Sequence, residues 1–281
     1  MTTTPNAEQI GLWNDAMGKT WAQLHERLDR QLDPIGRAAM QKAGFRSGEL
    51  VLDVGCGCGE TTLEIAGAIG SGRIVGLDAS AMLLAEARKA AEAKGVVNAS
   101  FVQGDGQVWT SPDGFDVLFS RFGVMFFDHP EAAFANLRGS LKRGGRLAFA
   151  CWRKPADNLW LALPMRSVAH LLPPLPPSDP NEPGPFAFAD ETRLAGILEV
   201  AGFSDVAIQP FDVRTGGDSL DDSVHLSLRV GQLGTALRQI GASDQLKRDV
   251  EAALREALAP YVEDGVVKLP AAAWIVSGRN P

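Results

Sequence analysis

The sequence predicts an α/β fold in which a mostly parallel, doubly wound sheet carries helices on both faces. Short apolar segments alternate with helical segments between residues 47 and 152. The first of them, residues 50–54 (LVLDV), is a short apolar run with β-branched residues, as is typical of a strand buried on both faces. Alternation of this kind is typical of parallel strands joined by helical crossovers.

Five strands and three helices are predicted within this region. The strands cover residues 50–54, 73–78, 99–105, 115–122 and 146–152, and the helices cover residues 60–70, 80–95 and 130–141. Ser80 is the predicted N-cap of the second helix, and Gly95 lies just past its end. Because ligands bind at the carboxyl ends of parallel strands, one rim of the sheet is expected to hold Asp53, Asp78, Asp105 and Ser120.

The segments on either side are mostly helical. Residues 8–44 are predicted as two helices separated at Pro34 and Gly36, with an apolar stripe at helical spacing made by Trp13, Met17, Trp21, Leu24 and Leu28. Further helices are predicted over residues 190–202 and 243–262, and further strands over 205–213 and 271–280. The seven prolines of residues 171–188 predict a semi-rigid loop over a ligand cleft, with a docking segment for an SH3-like partner as the alternative.

Composition and charge are those of an ordinary globular protein. Of the 281 residues, 45% are hydrophobic and 22% are charged. The net charge of −7 argues against a general nucleic-acid binder, so no nucleic-acid partner is expected, while a homodimer stays open. The first residues lack the basic start and apolar stretch of a secretion signal, and no apolar run reaches membrane-spanning length. With only three cysteines as well, the sequence predicts a cytoplasmic protein.

The glycine-rich turn after the first strand indicates a close approach to a ligand. Gly55 and Gly57 match the first two glycines of a dinucleotide-binding turn, but Glu60 stands where the third is expected. Glu60 and the preceding Asp53 would repel a pyrophosphate, and no Gly-Lys-Ser/Thr follows, so the phosphate-binding motifs are disfavoured. The turn instead predicts a ligand with cationic or hydrogen-bond donor groups. The cysteines (Cys56, Cys58 and Cys151) are too few for a structural zinc site, and no metal is expected.

S-adenosylmethionine meets that requirement. It has no phosphate, and its sulfonium and ammonium groups are attracted by carboxylates. Asp78 ends the second strand, where an acidic side chain accepts hydrogen bonds from ribose hydroxyls in dinucleotide sites. Asp105 ends the third and is suited to accept from the adenine amino group. A lone aspartate at a strand end is usually a turn residue, but three at successive strand ends favour one common ligand.

The motifs VLDVGCGCG, GLDAS, QGDGQ, FDVLFSRFGVMFF and LKRGGRLAFACW, within residues 47–152, resemble those of class I S-adenosylmethionine-dependent methyltransferases. The sequence is most similar to the bacterial group of ubiquinone/menaquinone-biosynthesis-like enzymes. The resemblance implies a Rossmann-like, seven-stranded sheet whose last strand, here residues 271–278, is antiparallel, and a main-chain carbonyl at Ser120 that holds the methionine ammonium. The predicted cofactor-binding residues are Trp13, Trp21, Asp53, Gly55, Cys56, Gly57, Gly59, Asp78, Ala79, Met82, Gly104, Asp105, Gly106 and Ser120.

Methyl transfer is an in-line displacement that depends mainly on proximity and orientation, so no general base is compulsory. His129 is a candidate base near the rim, with a capping or solvent-facing position as the alternative. Arg121 is a candidate for fixing an anionic substrate group, with a structural ion pair as the alternative. Trp13 and Trp21 are expected to close over the sulfonium through cation–π contacts or to pack in the core. No position relative to the site is assigned to His25, His170, His225 and Tyr261.

The chain is expected to comprise a helical cap (1–45), a cofactor-binding core (46–152), a proline-rich lid with a helix (153–202) and a C-terminal part (203–281) that completes the sheet and the substrate cover. The lid is rich in Leu, Pro, Phe and Ala, which predicts a small, largely apolar acceptor methylated at oxygen or carbon first and nitrogen second. A cofactor-binding scaffold without transferase activity is the alternative. An NAD-dependent oxidoreductase is disfavoured by Glu60 and Asp53.

Overall fold

The computed structural model describes residues 6–174, 179 and 181–281. Its sheet has the strand order β3-β2-β1-β4-β5-β8-β6. The strands are β1 (Leu50–Val54), β2 (Arg73–Asp78), β3 (Ala99–Gln103), β4 (Phe115–Arg121), β5 (Leu141–Trp152), β6 (Ser204–Asp218), β7 (Val262–Glu263) and β8 (Val266–Arg279). Strands β1 to β5 pair in parallel, and β8 runs antiparallel between β5 and β6. The predicted fold class is confirmed, and the two-residue β7, paired with β8, adds an eighth strand.

The described chain contains ten α-helices, joined to the strands by loops and short 3-10 turns. They are α1 (Ala7–Asn14), α2 (Ala16–Ala43), α3 (Glu60–Ala68), α4 (Ala81–Ala93), α5 (Pro130–Gly139), α6 (Leu159–Val168), α7 (Glu191–Val200), α8 (Leu220–Ser227), α9 (Gly231–Gln239) and α10 (Asp244–Leu258). Ser80 caps α4 as predicted, because its Oγ accepts a hydrogen bond from Leu83 N at 3.4 Å. Within the described residues, no helix is long and apolar enough to cross a membrane.

Helices cover both faces of the sheet. Phe119 of β4 lies opposite Ala148 of β5, so Phe149, one residue later, projects to the other face. Phe119 meets Phe45, just after α2, at a ring separation of 5.8 Å, while Phe149 meets Phe134 of α5 at 5.5 Å. The main hydrophobic core therefore has two layers, one on each side of the sheet.

The predicted helix break at Pro34 and Gly36 is wrong. Helix α2 runs without interruption from Ala16 to Ala43, and the chain breaks at Asp15 instead. A proline removes one main-chain donor from a helix. The carbonyl that loses its donor here is that of Arg30, four residues before Pro34. Packing of α2 against β4, β5, β6 and β8 offsets this cost.

Several strand limits differ from the prediction. β3 ends at Gln103, so Asp105 lies two residues beyond the strand rather than at its end. β8 begins at Val266 and passes through Pro270. A proline is tolerated there because β5 pairs with β8 only from Ala273 onwards, which leaves Pro270 with a strand partner on one side alone.

A second hydrophobic cluster forms a lid beside the carboxyl ends of the parallel strands. It is built by α6, α8, α9, α10 and the first half of β8, and its fully buried members include Val168, Val224, Leu233, Leu254 and Val267. Of these four helices, only α10 was predicted, as a helix over residues 243–262. Of the proline-rich loop, residues 175–178 and 180 lie outside the described residues. The remainder contacts the core, since Gly184 N donates to Met125 O at 3.0 Å.

A polar network ties the lid to α2. Gln31 accepts a hydrogen bond from Trp160 Nε1 at 2.9 Å and donates one to Asp218 Oδ2 at 2.6 Å. Arg27 Nε lies 2.9 Å from the same Asp218 oxygen. Trp160 belongs to α6 and Asp218 ends β6, so α2 connects the sheet with the lid.

Candidate functional site

A cavity of about 780 Å³ lies between the carboxyl ends of β1, β2 and β4 and the lid. The turn after β1 and the residues after β2 and β3 form one end of it. Side chains of α2, α6 and α9 enclose the other end, and α1 lies at the strand-end side, where Asn14 bonds Ala79 O. The following residues predicted to bind cofactor or substrate line this cavity: Trp13, Trp21, Gly55, Cys56, Gly57, Asp78, Ala79, Gly104, Asp105, Gly106 and Arg121.

The turn after β1 needs its glycines for two different reasons. Gly55, Gly57 and Gly59 have φ angles of 69°, 55° and 86°, which side chains rarely adopt. A Cβ on Gly55 would stand 2.6 Å from the Gly123 Cα, so the turn passes directly against the segment after β4. Gly59 does not line the cavity. A Cβ there would meet Ala87 Cβ at 2.9 Å, so Gly59 allows α3 to start against α4.

Asp53 lies beneath the turn rather than in the cavity wall. Its side chain is fully buried, and Oδ2 accepts hydrogen bonds from the hydroxyls of Thr61 and Thr62 at 2.8 and 2.7 Å. Oδ1 has no hydrogen-bond partner among the residues that the structure describes. Burial raises the pKa of this carboxyl from 3.8 to about 6, although the two hydroxyls and Arg121 oppose the shift. Thr61 lines the cavity where Asp53 does not.

Asp78 connects the end of β2 with the glycine turn. Its Oδ2 accepts from Gly57 N at 2.8 Å, and its Oδ1 accepts from Ser80 N at 2.8 Å. Burial raises the pKa of the carboxyl above its usual range, while these main-chain N–H groups lower it. A carboxylate oxygen can accept two hydrogen bonds, so the Asp78 side chain can still accept hydrogen bonds from a ligand.

Asp105 lines the cavity beyond the end of β3. Its Oδ1 accepts from Gln107 N at 3.0 Å and from Asn6 Nδ2 at 3.2 Å. Oδ2 is buried and has no partner within the described part of the chain. The flanking Gly104 and Gly106 lie against apolar side chains, with Leu77 Cδ1 and Phe127 Cε1 at 3.1 and 3.4 Å from the Cβ positions of the two glycines. Leu77 and Phe127 also line the cavity, which gives this end a carboxylate beside an apolar slot.

Three further residues used in the sequence argument lie outside the cavity wall, namely Ser120, Met82 and Glu60. Ser120 is buried, and its hydroxyl donates to Val54 O at 2.7 Å and accepts from Gly123 N at 3.2 Å. Met82 is half-buried on α4 and is not a lining residue. Glu60 is exposed and pairs with Lys94 at 3.3 Å, so its charge is directed to solvent and not to the ligand. Glu60 therefore does not repel a pyrophosphate in the cavity, which leaves Asp53 as the carboxylate that disfavours such a ligand.

His129 is exposed at the start of α5, also outside the cavity wall. It occupies the N-cap position, but its side chain makes no capping hydrogen bond. Its main-chain N–H donates to Gln107 Oε1 at 3.0 Å. His129 therefore faces solvent without a capping side-chain bond, and the structure provides no contact for a base at this residue.

Arg121 forms an ion pair with Asp29 of α2, as the alternative reading of this residue stated. Both residues line the cavity and both are nearly buried, with side chains 12% and 9% exposed. Gly36 makes room for the arginine, since a Cβ there would lie 3.1 Å from Arg121 Cδ. His25 Nδ1 lies 3.6 Å from the second oxygen of Asp29. Sequence reasoning missed Asp29, whose only sign was a charge beside the apolar stripe of α2.

Aromatic side chains form much of the cavity wall. The Trp13 ring meets Trp21 at 5.9 Å and Phe126 at 5.3 Å, both edge to face. On the lid side, Trp152 stacks on Phe122 at 4.1 Å and meets Trp160 at 5.6 Å. All of these residues line the cavity. Trp160 and α9 lie in the segments predicted as lid and substrate cover, although none of their residues was singled out, and Trp152 was not predicted as part of the wall.

The three cysteines are buried thiols. Cys56 and Cys58 line the cavity, and burial raises the pKa of the Cys58 thiol to about 12. Thiols in this state are poor nucleophiles and poor metal ligands. Within the residues that the structure describes, no group of three His, Cys, Asp or Glu side chains is arranged to hold a metal ion.

Comparison with known proteins identifies the class. Residues 51–145, which include the glycine turn and the strands that follow it, match the family model described as a methyltransferase domain. With the sheet order and the strand-end carboxylates, this match defines an S-adenosylmethionine-dependent methyltransferase. The chain is also 31% identical over 222 residues to the ubiquinone/menaquinone biosynthesis C-methyltransferase UbiE of Stutzerimonas stutzeri (strain A1501), covering 75% of this chain and 82% of that protein. The chain belongs to the methyltransferase family that includes this enzyme.

Two further relatives and two structures extend the comparison. UbiE of Pseudomonas aeruginosa (strain LESB58) is 33% identical over 54% of this chain and 57% of its own, so the match spans little more than half of that relative. The aklanonic acid methyltransferase DauC of Streptomyces sp. (strain C5) is 34% identical over 41% of this chain and 54% of its own. A putative methyltransferase from Bacillus halodurans C-125 superposes with a TM-score of 0.57 at 19% identity, covering 88% of this chain and 98% of that one. The [4+2]-cyclase SpnF superposes with a TM-score of 0.54 at 20% identity, covering 89% and 80%. At these identities the structural likeness concerns the fold.

Proposed function

We propose that this protein transfers a methyl group from S-adenosylmethionine to a small, largely apolar organic molecule, at an oxygen or carbon atom in preference to nitrogen. The observation that carries the proposal is the aromatic cavity that continues from the strand ends to the lid, with Trp13 and Trp21 on one side and Trp152 and Trp160 on the other. An apolar cleft with a few polar groups is typical of small-molecule sites. The carbon methyltransferase UbiE and the aklanonic acid methyltransferase DauC, both relatives, support this class of acceptor.

The residues at the strand-end side of the cavity fit the cofactor. Asp78 keeps acceptor capacity suited to the two ribose hydroxyls, and the buried, unpartnered Oδ2 of Asp105 suits the adenine amino group. The apolar slot beside Asp105 suits a flat base. Gly55 and Gly57 let the main chain approach the ligand without a Cβ. When bound, the cofactor supplies a methyl group on a positively charged sulfur.

The chain's own contribution to the reaction is to orient the acceptor and exclude water. The lid residues Trp160 and Leu161 of α6 and Leu233 of α9 cover the cavity with apolar surface. The ion pair of Arg121 and Asp29 offers both a cationic donor and an anionic acceptor to one polar group of the acceptor molecule. His129 plays no part in this proposal because it lies outside the cavity wall.

A second candidate is a protein that binds the cofactor without transferring its methyl group. The superposition with the cyclase SpnF favours keeping this candidate, because it shows that the fold is not confined to proteins named as methyltransferases. The partly free carboxylates of Asp78 and Asp105 support cofactor binding under both candidates. They do not distinguish between them.

The two candidates are separated by following the methyl group. The protein is incubated with methyl-labelled S-adenosylmethionine and a panel of phenols, quinols, carbon acids and amines of comparable size, and the label is traced by mass spectrometry. We expect label on oxygen or carbon of an apolar member of the panel. Label on amines alone would contradict the proposed acceptor class. Tight cofactor binding with no transfer to any member would favour the second candidate.

A further inference from the structure

Asn6 is a buried polar residue in the wall of the cavity. It precedes α1 and is 6% exposed. An asparagine at this position normally accepts a hydrogen bond from a main-chain N–H in the first helical turn. Asn6 makes no such capping bond, and its φ of 57° places it in the left-handed region, which asparagine tolerates. Its Nδ2 instead donates to Asp105 Oδ1 at 3.2 Å, across a sequence separation of 99 residues.

The two side chains joined by this hydrogen bond each keep one unsatisfied acceptor. Asn6 Oδ1 and Asp105 Oδ2 are both buried, and neither has a hydrogen-bond partner in the described ranges. The orientation of the amide follows from chemistry, because exchanging its oxygen and nitrogen would place an acceptor against the carboxylate. Buried polar atoms in folded proteins nearly always have a partner. Both residues line the cavity, so a ligand there is in a position to supply the missing donors.

We propose that Asn6 and Asp105 together form the receptor for the exocyclic amino group of adenine, one acceptor for each of its two hydrogens, and that α1 is thereby fastened over the bound cofactor. This inference rests on the proposed placement of the cofactor. A carbonyl oxygen at the same ring position, as in hypoxanthine, would face two acceptors and be rejected. Asn6 thus lies outside the segment matched by the family model yet determines which base is accepted.

The attachment of α1 to the rest of the protein makes this fastening significant. None of its eight residues is fully buried. Besides Asn6, α1 contacts the rest of the protein through the hydrogen bonds of Asn14 with Ala79 O at 2.9 Å and with Ala81 N at 3.2 Å, and through the ring contacts of Trp13 with Trp21 and Phe126. Elements with few buried contacts open at low free-energy cost. A ligand bond at Asn6 would therefore change the opening of α1 measurably.

The test measures binding of S-adenosylhomocysteine, the demethylated product, and of S-inosylhomocysteine, which carries oxygen in place of the amino group. Both ligands are titrated by calorimetry into the parent protein, Asn6→Ala and Glu8→Ala. Glu8 is the matched control, since it is exposed on α1 and does not line the cavity. Asn6→Ala is expected to weaken S-adenosylhomocysteine by about tenfold, as one hydrogen bond implies, and not to weaken S-inosylhomocysteine, because the carbonyl of that ligand loses one opposing acceptor. Glu8→Ala changes neither.

Hydrogen exchange provides the second readout. S-adenosylhomocysteine is expected to slow amide exchange in residues 7–14 of the parent and of Glu8→Ala, and to lose this effect in Asn6→Ala. Equal weakening of both ligands by Asn6→Ala, unchanged affinity for S-adenosylhomocysteine, or unchanged protection of α1 would each overturn the inference. S-adenosylhomocysteine can be titrated without a methyl-accepting substrate. These results therefore stand whether or not methyl transfer to an apolar substrate is observed.

Discussion

The carboxylate of Asp78 accepts a hydrogen bond from the main-chain N–H of Gly57 at 2.8 Å, which ties the end of β2 to the turn after β1. The same oxygen keeps a lone pair, and the other oxygen accepts from Ser80 N at 2.8 Å. We expect Asp78→Ala to weaken binding of S-adenosylhomocysteine by roughly 10–100-fold, the equivalent of about 1.5–3 kcal/mol for bonds to a charged group. Calorimetry measures this, and an unchanged affinity would refute the ribose assignment.

Glu60 is a carboxylate near the glycine turn that, unlike Asp78, is not expected to contact the cofactor. It is exposed, pairs with Lys94 and does not line the cavity. Replacement Glu60→Gln is therefore expected to leave the affinity for S-adenosylhomocysteine within about twofold of the parent. The same titration as for Asp78 measures it. A tenfold change would mean that the charge acts on the ligand despite its position.

Removal of one member of the ion pair between Arg121 and Asp29 is expected to lower the free energy of unfolding strongly. Both side chains are nearly buried, so Arg121→Met leaves a carboxylate without its cation. Breaking a buried pair from one side costs about 3–5 kcal/mol, whereas replacing both members by apolar residues is often close to neutral. Urea unfolding should therefore show a large loss for Arg121→Met that the double variant Arg121→Met/Asp29→Leu largely recovers. Additive losses would contradict this.

The stability of the protein should carry a pH-dependent contribution from Asp53. Burial raises its pKa in the folded state from 3.8 to about 6, so the folded protein holds this proton more tightly than the unfolded chain does. The resulting penalty is absent below pH 3.8, grows as pH rises through about 6, and is complete above it, at about 3 kcal/mol. Between pH 4 and pH 7.5 the stability of Asp53→Asn should rise relative to the parent by about that amount. The exposed Asp113→Asn is the control, and a flat difference for Asp53→Asn would refute the assignment.

His129 is expected to be dispensable for the reaction. It is exposed, lies outside the cavity wall and makes no side-chain capping bond. Once an acceptor is identified, His129→Ala should keep kcat within about twofold of the parent, and its pH–rate profile should not move. Loss of the ascending limb of the pH–rate profile together with a large fall in kcat would support the base hypothesis instead.

The sheet was predictable because its signals are local. Residues 50–54 and 73–78 each read as one short apolar strand, and the structure gives those same limits. The break predicted at Pro34 was wrong because the local cost of a proline in a helix is outweighed here by packing of α2 against strands that lie far along the chain. The helices α6, α8 and α9 have at most ten residues each and share one apolar cluster, so none shows a long periodic pattern.

The site divides in the same way. Asp78 and Asp105 were found because acidic residues near strand ends carry a positional meaning. Asn6 and Asp29 were missed because each owes its role to a partner about 90 residues or more away, Asp105 and Arg121 respectively. Glu60 was misread because a carboxylate beside a glycine turn in sequence need not face the ligand in space.

The position of β8 has a consequence for how the protein is made. Within the described sheet, β6 pairs only with β8, and β8 also carries residues of both hydrophobic clusters, such as Val267 in the lid and Val276 in the core. While a ribosome is still synthesising residues 266–279, β6 has no strand partner and both clusters lack members. Such long-range pairing is slow, and an unpaired strand exposes a template for aggregation. The sheet edge and the acceptor cover are therefore completed together, in the final stage of synthesis of this segment.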